Sequence, residues 1–397
     1  MMTPRLPLLS PLLSVACTTL LVACSGGGSD APVETSAMAQ LGERIFNDRR
    51  LSGSGRMSCA TCHDPTTFHG PPNALAVQIG GRFETEFGVR AAPSLRYLER
   101  QPAFDGARVH GGLMADGRAD TLGQQAQLPW FSILELDNGS TADLARRLRA
   151  APYASEFAAL FGSDADAATT VAQMAQALQA FQTEDPRLHP YDSKFDLVAA
   201  GRDHFSAAEE RGLQVFNDPA RGNCAACHTS RPGADGKPPL FTDFSYAALG
   251  VPRNTAIPHN ANAAYFDLGL CGPQRADLAQ RPELCGLFRT PSLRNVATRG
   301  AFFHNGVLHS LAEVLRFYNS RDTHPSLWYP SAGGQVQAFD DLPLRYRANL
   351  TLQAPLDGRA PGAAPAMTDA ELADLECFLR TLTDGHAAGT PPTSGCT

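Results

Sequence analysis

Apolar residues recur at helical spacing along most of the chain. Val171, Met174, Leu178 and Phe181 fall on one face of a 3.6-residue period, and Leu144, Leu148, Phe157 and Phe161 belong to a similar stretch. Near the C-terminus, Thr368-Asp369-Ala370-Glu371 is a capping box ahead of a Leu372, Leu375, Leu379, Leu382 stripe. Ser310-Leu311-Ala312-Glu313 caps another helix, with Leu311, Val314, Leu315 and Tyr318 on its inner face. Pro186 and Pro190 break the pattern and mark a joint, and Pro- and Gly-rich loops cover residues 231–239 and 353–365. The expected fold is all-α with long irregular loops, and it contains a repeat. Gly42-Glu43-Arg44-Ile45-Phe46-Asn47-Asp48 and Gly212-Leu213-Gln214-Val215-Phe216-Asn217-Asp218 share G-x-x-x-F-N-D. Each precedes a short polar loop and a C-x-x-C-H motif, so one supersecondary unit is used twice.

Those motifs are Cys59-Ala60-Thr61-Cys62-His63 and Cys224-Ala225-Ala226-Cys227-His228. This is the attachment signature of c-type haem, in which two thiols form thioethers and the histidine ligates iron. A four-cysteine zinc site would want its C-x-x-C pairs roughly 15–20 residues apart and would leave both histidines unexplained. A thioredoxin-like redox pair would need a βαβ context and would not repeat. Two covalent haem c groups are therefore expected, on Cys59, Cys62 and His63 and on Cys224, Cys227 and His228.

The N-terminus places this chemistry outside the cytoplasm. Arg5 precedes an apolar run over residues 6–23 that Pro7 and Pro11 interrupt, too short and broken to span a membrane. It ends in Leu21-Val22-Ala23-Cys24, which resembles a bacterial lipobox; an ordinary signal peptide is the alternative. The expected plan is a signal peptide over residues 1–23, a lipid on Cys24 and a tether over residues 24–37. A cytochrome-c-like haem domain over 38–190 and a second over 191–397 follow, and the final helix packs on one or the other. Ser25 after the cysteine favours a periplasmic protein anchored to the outer membrane. Of the 10 cysteines, Cys271, Cys285, Cys377 and Cys396 remain after haem, leader and lipid. In an oxidising compartment they can form two disulfides, by local pairing (Cys271–Cys285, Cys377–Cys396) among three connectivities, or stay as buried thiols. A net charge of -7 offers nothing to nucleic acid.

Further phrases fall in order around the two motifs. Arg90-Ala91-Ala92-Pro93-Ser94-Leu95 and Asp116-Gly117-Arg118-Ala119 follow the first. Phe288-Arg289-Thr290-Pro291-Ser292-Leu293-Arg294-Asn295, Phe303-His304-Asn305-Gly306 and Phe317-Tyr318-Asn319 follow the second. Over nearly the whole mature chain this resembles the bacterial di-haem cytochrome c peroxidase and MauG family. The resemblance implies that the N-terminal haem reacts with hydrogen peroxide beneath a Gln and a Glu, here Gln125 and Glu135. The carboxylate would act as general acid/base in O–O cleavage. Gln124, beside Gln125, is the alternative amide. The resemblance also implies Tyr318 as the second haem's other axial ligand, as in MauG, where cytochrome-c-coupled members use Met. Met367 is the sole methionine after His228, and it reads as a hydrophobic staple.

The implied activity is a MauG-type peroxidase that oxidises a second substrate, such as a protein. Peroxide removal with electrons from a small redox protein is the alternative enzyme, and a di-haem electron carrier the non-enzymatic reading. The sequence departs from the family at three places. Ala115 replaces a Trp relay between haems, and nearby Trp130 reads as a packing residue, with taking over the relay as the alternative. Ala91 replaces an Asn ligand of an inter-domain calcium, leaving backbone carbonyls around Arg299-Gly300-Ala301 as its support. His69 stands at a usual Asp and reads as a surface residue, with contact to a haem propionate or iron as the alternative.

Overall fold

The computed structural model describes residues 35–397 except Ala234 and Asp357. The leader, Cys24 and most of the tether lie outside the described residues. Ser36, at the end of the expected tether, already caps the first helix by accepting from the Ala39 N–H. The helices are α1 (Ala37–Asn47), α2 (Cys59–Cys62), α3 (Leu122–Phe131), α4 (Thr141–Arg149), α5 (Ala154–Phe161), α6 (Ala167–Glu184), α7 (Lys194–Ala199), α8 (Ala207–Asn217), α9 (Leu311–Ser320) and α10 (Asp369–Arg380). All of those with eight or more residues except α5 open on a Ser, Thr or Asp side chain that accepts a first-turn N–H. The chain is mostly helical but not strictly all-α. Three two-residue antiparallel pairs are present: Ile79–Gly80 with Glu86–Phe87, Tyr246–Ala247 with Phe288–Arg289, and Ser331–Ala332 with Gln335–Val336. None of the described helices is long and apolar enough to cross a membrane.

Among the described residues two large apolar cores form, beside two small clusters. One is built from residues between Leu41 and Leu188, the other from residues between Phe195 and Leu382. The repeated phrase explains how each is made. A Cβ on Gly42 would lie 2.0 Å from the Ala177 carbonyl oxygen and 2.8 Å from Phe181 Cβ. A Cβ on Gly212 would lie 2.0 Å from the Asp374 carbonyl oxygen and 2.8 Å from Phe378 Cβ. Only glycine permits either crossing, so α1 lies directly on α6 and α8 directly on α10. The phenylalanine of the phrase then meets its partner ring, Phe46 to Phe181 at 5.3 Å and Phe216 to Phe378 at 5.2 Å. Asn47 and Asn217 donate to the carbonyls of Glu43 and Leu213, and Asp48 and Asp218 receive the next N–H groups. The final helix therefore belongs to the second core, as the counterpart of α6.

The four leftover cysteines are joined as Cys271–Cys285 and Cys377–Cys396, the local pairing. Ion pairs cross between the two cores. Arg96 and Tyr97 both reach Asp384, which also accepts from Asn295.

Candidate active site

Each C-x-x-C-H motif forms a short helical turn after its phrase, and its two thiols remain unpaired. Burial pushes the Cys59 thiol up to about 12, Cys62 to about 11 and Cys224 to about 12, so these are neutral thiols rather than reactive thiolates. His63 Nδ1 lies 3.0 Å from the Pro93 carbonyl oxygen, and His228 Nδ1 lies 2.8 Å from that of Phe241. A carbonyl there fixes the Nδ1–H tautomer and leaves Nε2 free as a donor to metal. Burial lowers His63 to about 4, partly offset by the Pro93 carbonyl, and lowers His228 in the same direction. Both are neutral imidazoles at physiological pH, the form that binds metal.

The loop behind each histidine is built alike. Ser94 donates to the Phe68 carbonyl at 2.8 Å, and Ser292 to the Leu240 carbonyl at 2.7 Å. The next residues, His69 and Phe241, share a left-handed backbone, with φ of 52° and 53°. Phe241 packs between Phe216 and Phe378, and His69 between Phe46 and Phe181. His69 is therefore not a surface residue: at 2% exposure it fills the aromatic slot of the first core. Burial lowers its pKa to about 4, which keeps the ring neutral among its aromatic neighbours.

A cavity of about 1010 Å³ runs past both motifs. Its wall includes His63, Gln125 and Glu135 at one end and His228 and Tyr318 at the other. Gln125 projects from α3, whereas Gln124 accepts from the Asp120 N–H and serves the helix start. Glu135 follows α3 in a turn that the Ile79–Gly80 strand clamps. The Gly81 N–H donates to the Glu135 carbonyl at 2.7 Å, and a Cβ on Gly80 would come within 2.9 Å of Glu135 Cα. The carboxyl is exposed to the cavity rather than to the outer surface, and the surrounding protein raises its pKa above the ordinary 4.5 against the Ser132 hydrogen bond and the Arg118 charge. Arg118, held by Asp116 at 2.7 Å, is the cavity residue that sequence reasoning passed over, although it completes the quoted Asp116-Gly117-Arg118 phrase.

The helices over the two ends match residue for residue. α3 follows the Thr121 cap and α9 follows the Ser310 cap, and each has ten residues. Counted from the caps, Pro129 and Tyr318 occupy the same position, and both line the cavity. Tyr318 offers a phenol whose pKa burial raises above the usual value. Pro129 offers no donor atom. Met367 also reaches the cavity wall, from a backbone tied by two hydrogen bonds to Asn319. Trp130 is 1% exposed in the first core and does not line the cavity.

The residues present fit haem. Two free thiol pairs, each with a neutral imidazole, face one apolar cavity. Its wall also carries Arg289, which donates to Gln101 and to the Met114 carbonyl and has no carboxylate partner among the described residues. Such a guanidinium suits an anionic ligand edge, as haem propionates provide.

The profile of the di-haem cytochrome c peroxidase family matches residues 36–204. The methylamine utilization protein MauG of Paracoccus denitrificans is 36% identical over 96% of this chain and 95% of its own. A cytochrome-c peroxidase of Denitromonas iodatirespirans is 28% identical over 74% of each chain. The crystal structure of the diheme peroxidase BthA from Burkholderia thailandensis superposes with a TM-score of 0.81 at 39% identity, covering 92% of this chain and 90% of that one. With the paired motifs and their shared cavity, these alignments show that the chain belongs to the bacterial di-haem cytochrome c peroxidase and MauG family and is a haem-dependent peroxidase.

Proposed function

We propose that the protein is a MauG-type peroxidase, which uses hydrogen peroxide at the first haem to oxidise a second substrate, such as a protein side chain. The single observation that supports this is the equivalence of Pro129 and Tyr318 on α3 and α9. His63 would hold the first haem's iron, and Pro129 offers no atom that could bind it as well. His228 and Tyr318 would both be available to hold the second. The proposed frame is two haem domains, residues 38–190 and 191–397, with thioethers to Cys59 and Cys62 and to Cys224 and Cys227. The separate cores and the repeated helix crossings support that division.

Haem iron, when bound, supplies the electrons that break the peroxide O–O bond. The protein supplies the proton traffic. The Glu135 carboxylate takes a proton from one peroxide oxygen and delivers it to the other, which leaves as water. The Gln125 amide orients the peroxide, and Arg118 steadies the carboxylate charge. Two electrons and two protons from the second substrate complete the reduction to two waters. Tyr318 would supply a phenolate oxygen that favours the oxidised metal, which would suit the second site to storing oxidising equivalents rather than to collecting electrons from a cytochrome. The protein works in the periplasm, held to a membrane by a lipid on Cys24.

The second reading, peroxide removal with electrons from a small redox protein, is favoured by one observation: Met367 is also on the cavity wall. Adding peroxide to the fully ferric protein and following its absorption spectrum separates the two. A prompt spectral change is expected. Silence until one haem has been reduced would favour the second reading and sink the first.

A further inference from the structure

Arg299 is a half-buried cation on the cavity wall, in an unusual setting. Its Nη2 donates to two backbone carbonyls, that of Ala92 at 3.1 Å and that of Ala301 at 3.1 Å. Ala92 belongs to the loop behind His63, and Ala301 to the second half of the chain. No carboxylate among the described residues pairs with the guanidinium. Burial lowers its pKa to about 10, which leaves it charged at neutral pH. Two carbonyl oxygens from separate segments converging on one positive centre are the donor set expected of a hard metal ion.

The residues around this point do not fit calcium. Ala91, next to one of the carbonyls, has no side-chain oxygen to offer. The Gly300 carbonyl between Arg299 and Ala301 is taken by His309 at 2.9 Å. The described residues include no cluster of three or more Asp, Glu, His or Cys side chains that could hold a metal. Calcium asks for six to eight oxygens at roughly 2.3–2.6 Å, and carbonyls already spaced for an N–H donor lie too far out.

We propose that the Arg299 guanidinium replaces the inter-domain calcium of the family, as a tethered cation that joins the loop behind the first haem to the second half. A covalently attached cation cannot dissociate, so this bridge does not depend on the metal content of the surroundings. The inference concerns how the halves are joined and holds whichever substrate is oxidised.

The test uses the haem-loaded protein, desalted into calcium-free buffer. Elemental analysis should find far less than one calcium per chain. The melting temperature and the ferric absorption spectrum should be the same in EGTA as in millimolar calcium chloride. One calcium retained per chain, or a melting temperature that rises with added calcium, would overturn the proposal. Arg299→Ala should melt several degrees lower in EGTA, and an unchanged melting temperature would also overturn it. The metal analysis and the calcium titration of the unaltered protein decide the matter even if that variant does not fold. Neither measurement reads peroxide turnover, so failure here is distinguishable from failure of the peroxidase reading.

Discussion

Arg90 grips Asp267 with two parallel hydrogen bonds, Nε to Oδ2 at 2.6 Å and Nη2 to Oδ1 at 2.8 Å, across 177 residues of chain. A third nitrogen, Nη1, reaches Asp116 at 2.7 Å. Arg90 therefore ties the phrase behind the first haem motif to the second half, in a buried setting where forked pairing is strongest. Burial works against ionisation of Asp267, but the Arg90 charge and hydrogen bonds outweigh it and hold the carboxyl below its ordinary value.

A depressed carboxyl contributes stability above the unfolded-state value, near 3.9, and loses it as pH falls through the folded value. Asp267→Asn should therefore melt lower at neutral pH, by an amount equivalent to about 3–5 kcal/mol, because Arg90 is left partly uncompensated. Its melting temperature should also fall less steeply than the native protein's below about pH 4. Parallel slopes in thermal scans across that range would show that the pair is not the titrating element.

Tyr318→Met exchanges the oxygen ligand proposed for the second haem for a thioether, which stabilises the ferrous state. The second haem's midpoint potential should rise in a spectroscopic redox titration while the first stays put. An unchanged potential would remove Tyr318 from the ligand set and return attention to Met367.

Glu135→Gln should leave both haem spectra as they are and slow the reaction with peroxide by roughly 10²–10⁴-fold. Because the surrounding protein raises the carboxyl above 4.5, the native rate should decline as pH falls through that raised value and the proton acceptor is lost. The variant should lack this acid limb in stopped-flow measurements. A variant that retains both rate and limb would place the proton acceptor elsewhere.

Gly42→Ala and Gly212→Ala each force a methyl group to within 2.0 Å of a carbonyl oxygen on the facing helix. Both should destabilise the protein, by at least the roughly 1–3 kcal/mol typical of overpacking. The two losses should be similar, since the contacts match atom for atom. Thermal melting of both haem-loaded variants checks this, and one harmless substitution would break the equivalence of the two halves.

Much of this was legible in the sequence because it is local. A C-x-x-C-H motif, a cap and a leucine stripe are each defined by neighbours in the chain, and each lies where its spacing indicates. Four cysteines in two nearby pairs also found their partners. The correspondence of Pro129 with Tyr318 was not legible, since it depends on counting from two caps whose helices carry unrelated sequences. His69 was misjudged because a polar residue in a loop reads as exposed. Its burial is imposed by Phe46 and Phe181, which meet it only after α1 has crossed α6. The final helix could not be assigned for the same reason: Gly212 selects it by a crossing that no stretch of local sequence contains.

Those crossings also set an order of events. The first motif lies between α1 and α6, and the second between α8 and α10. When the chain is exported from its N-terminus, each pair of thiols emerges well before the helix that will seal the core behind it. Haem can be joined to an open segment at that stage, and the arrival of α6 or α10 then closes the product. The order of the elements along the chain thus leaves a time window, in which the cofactor can be delivered to a chain that has not yet shut.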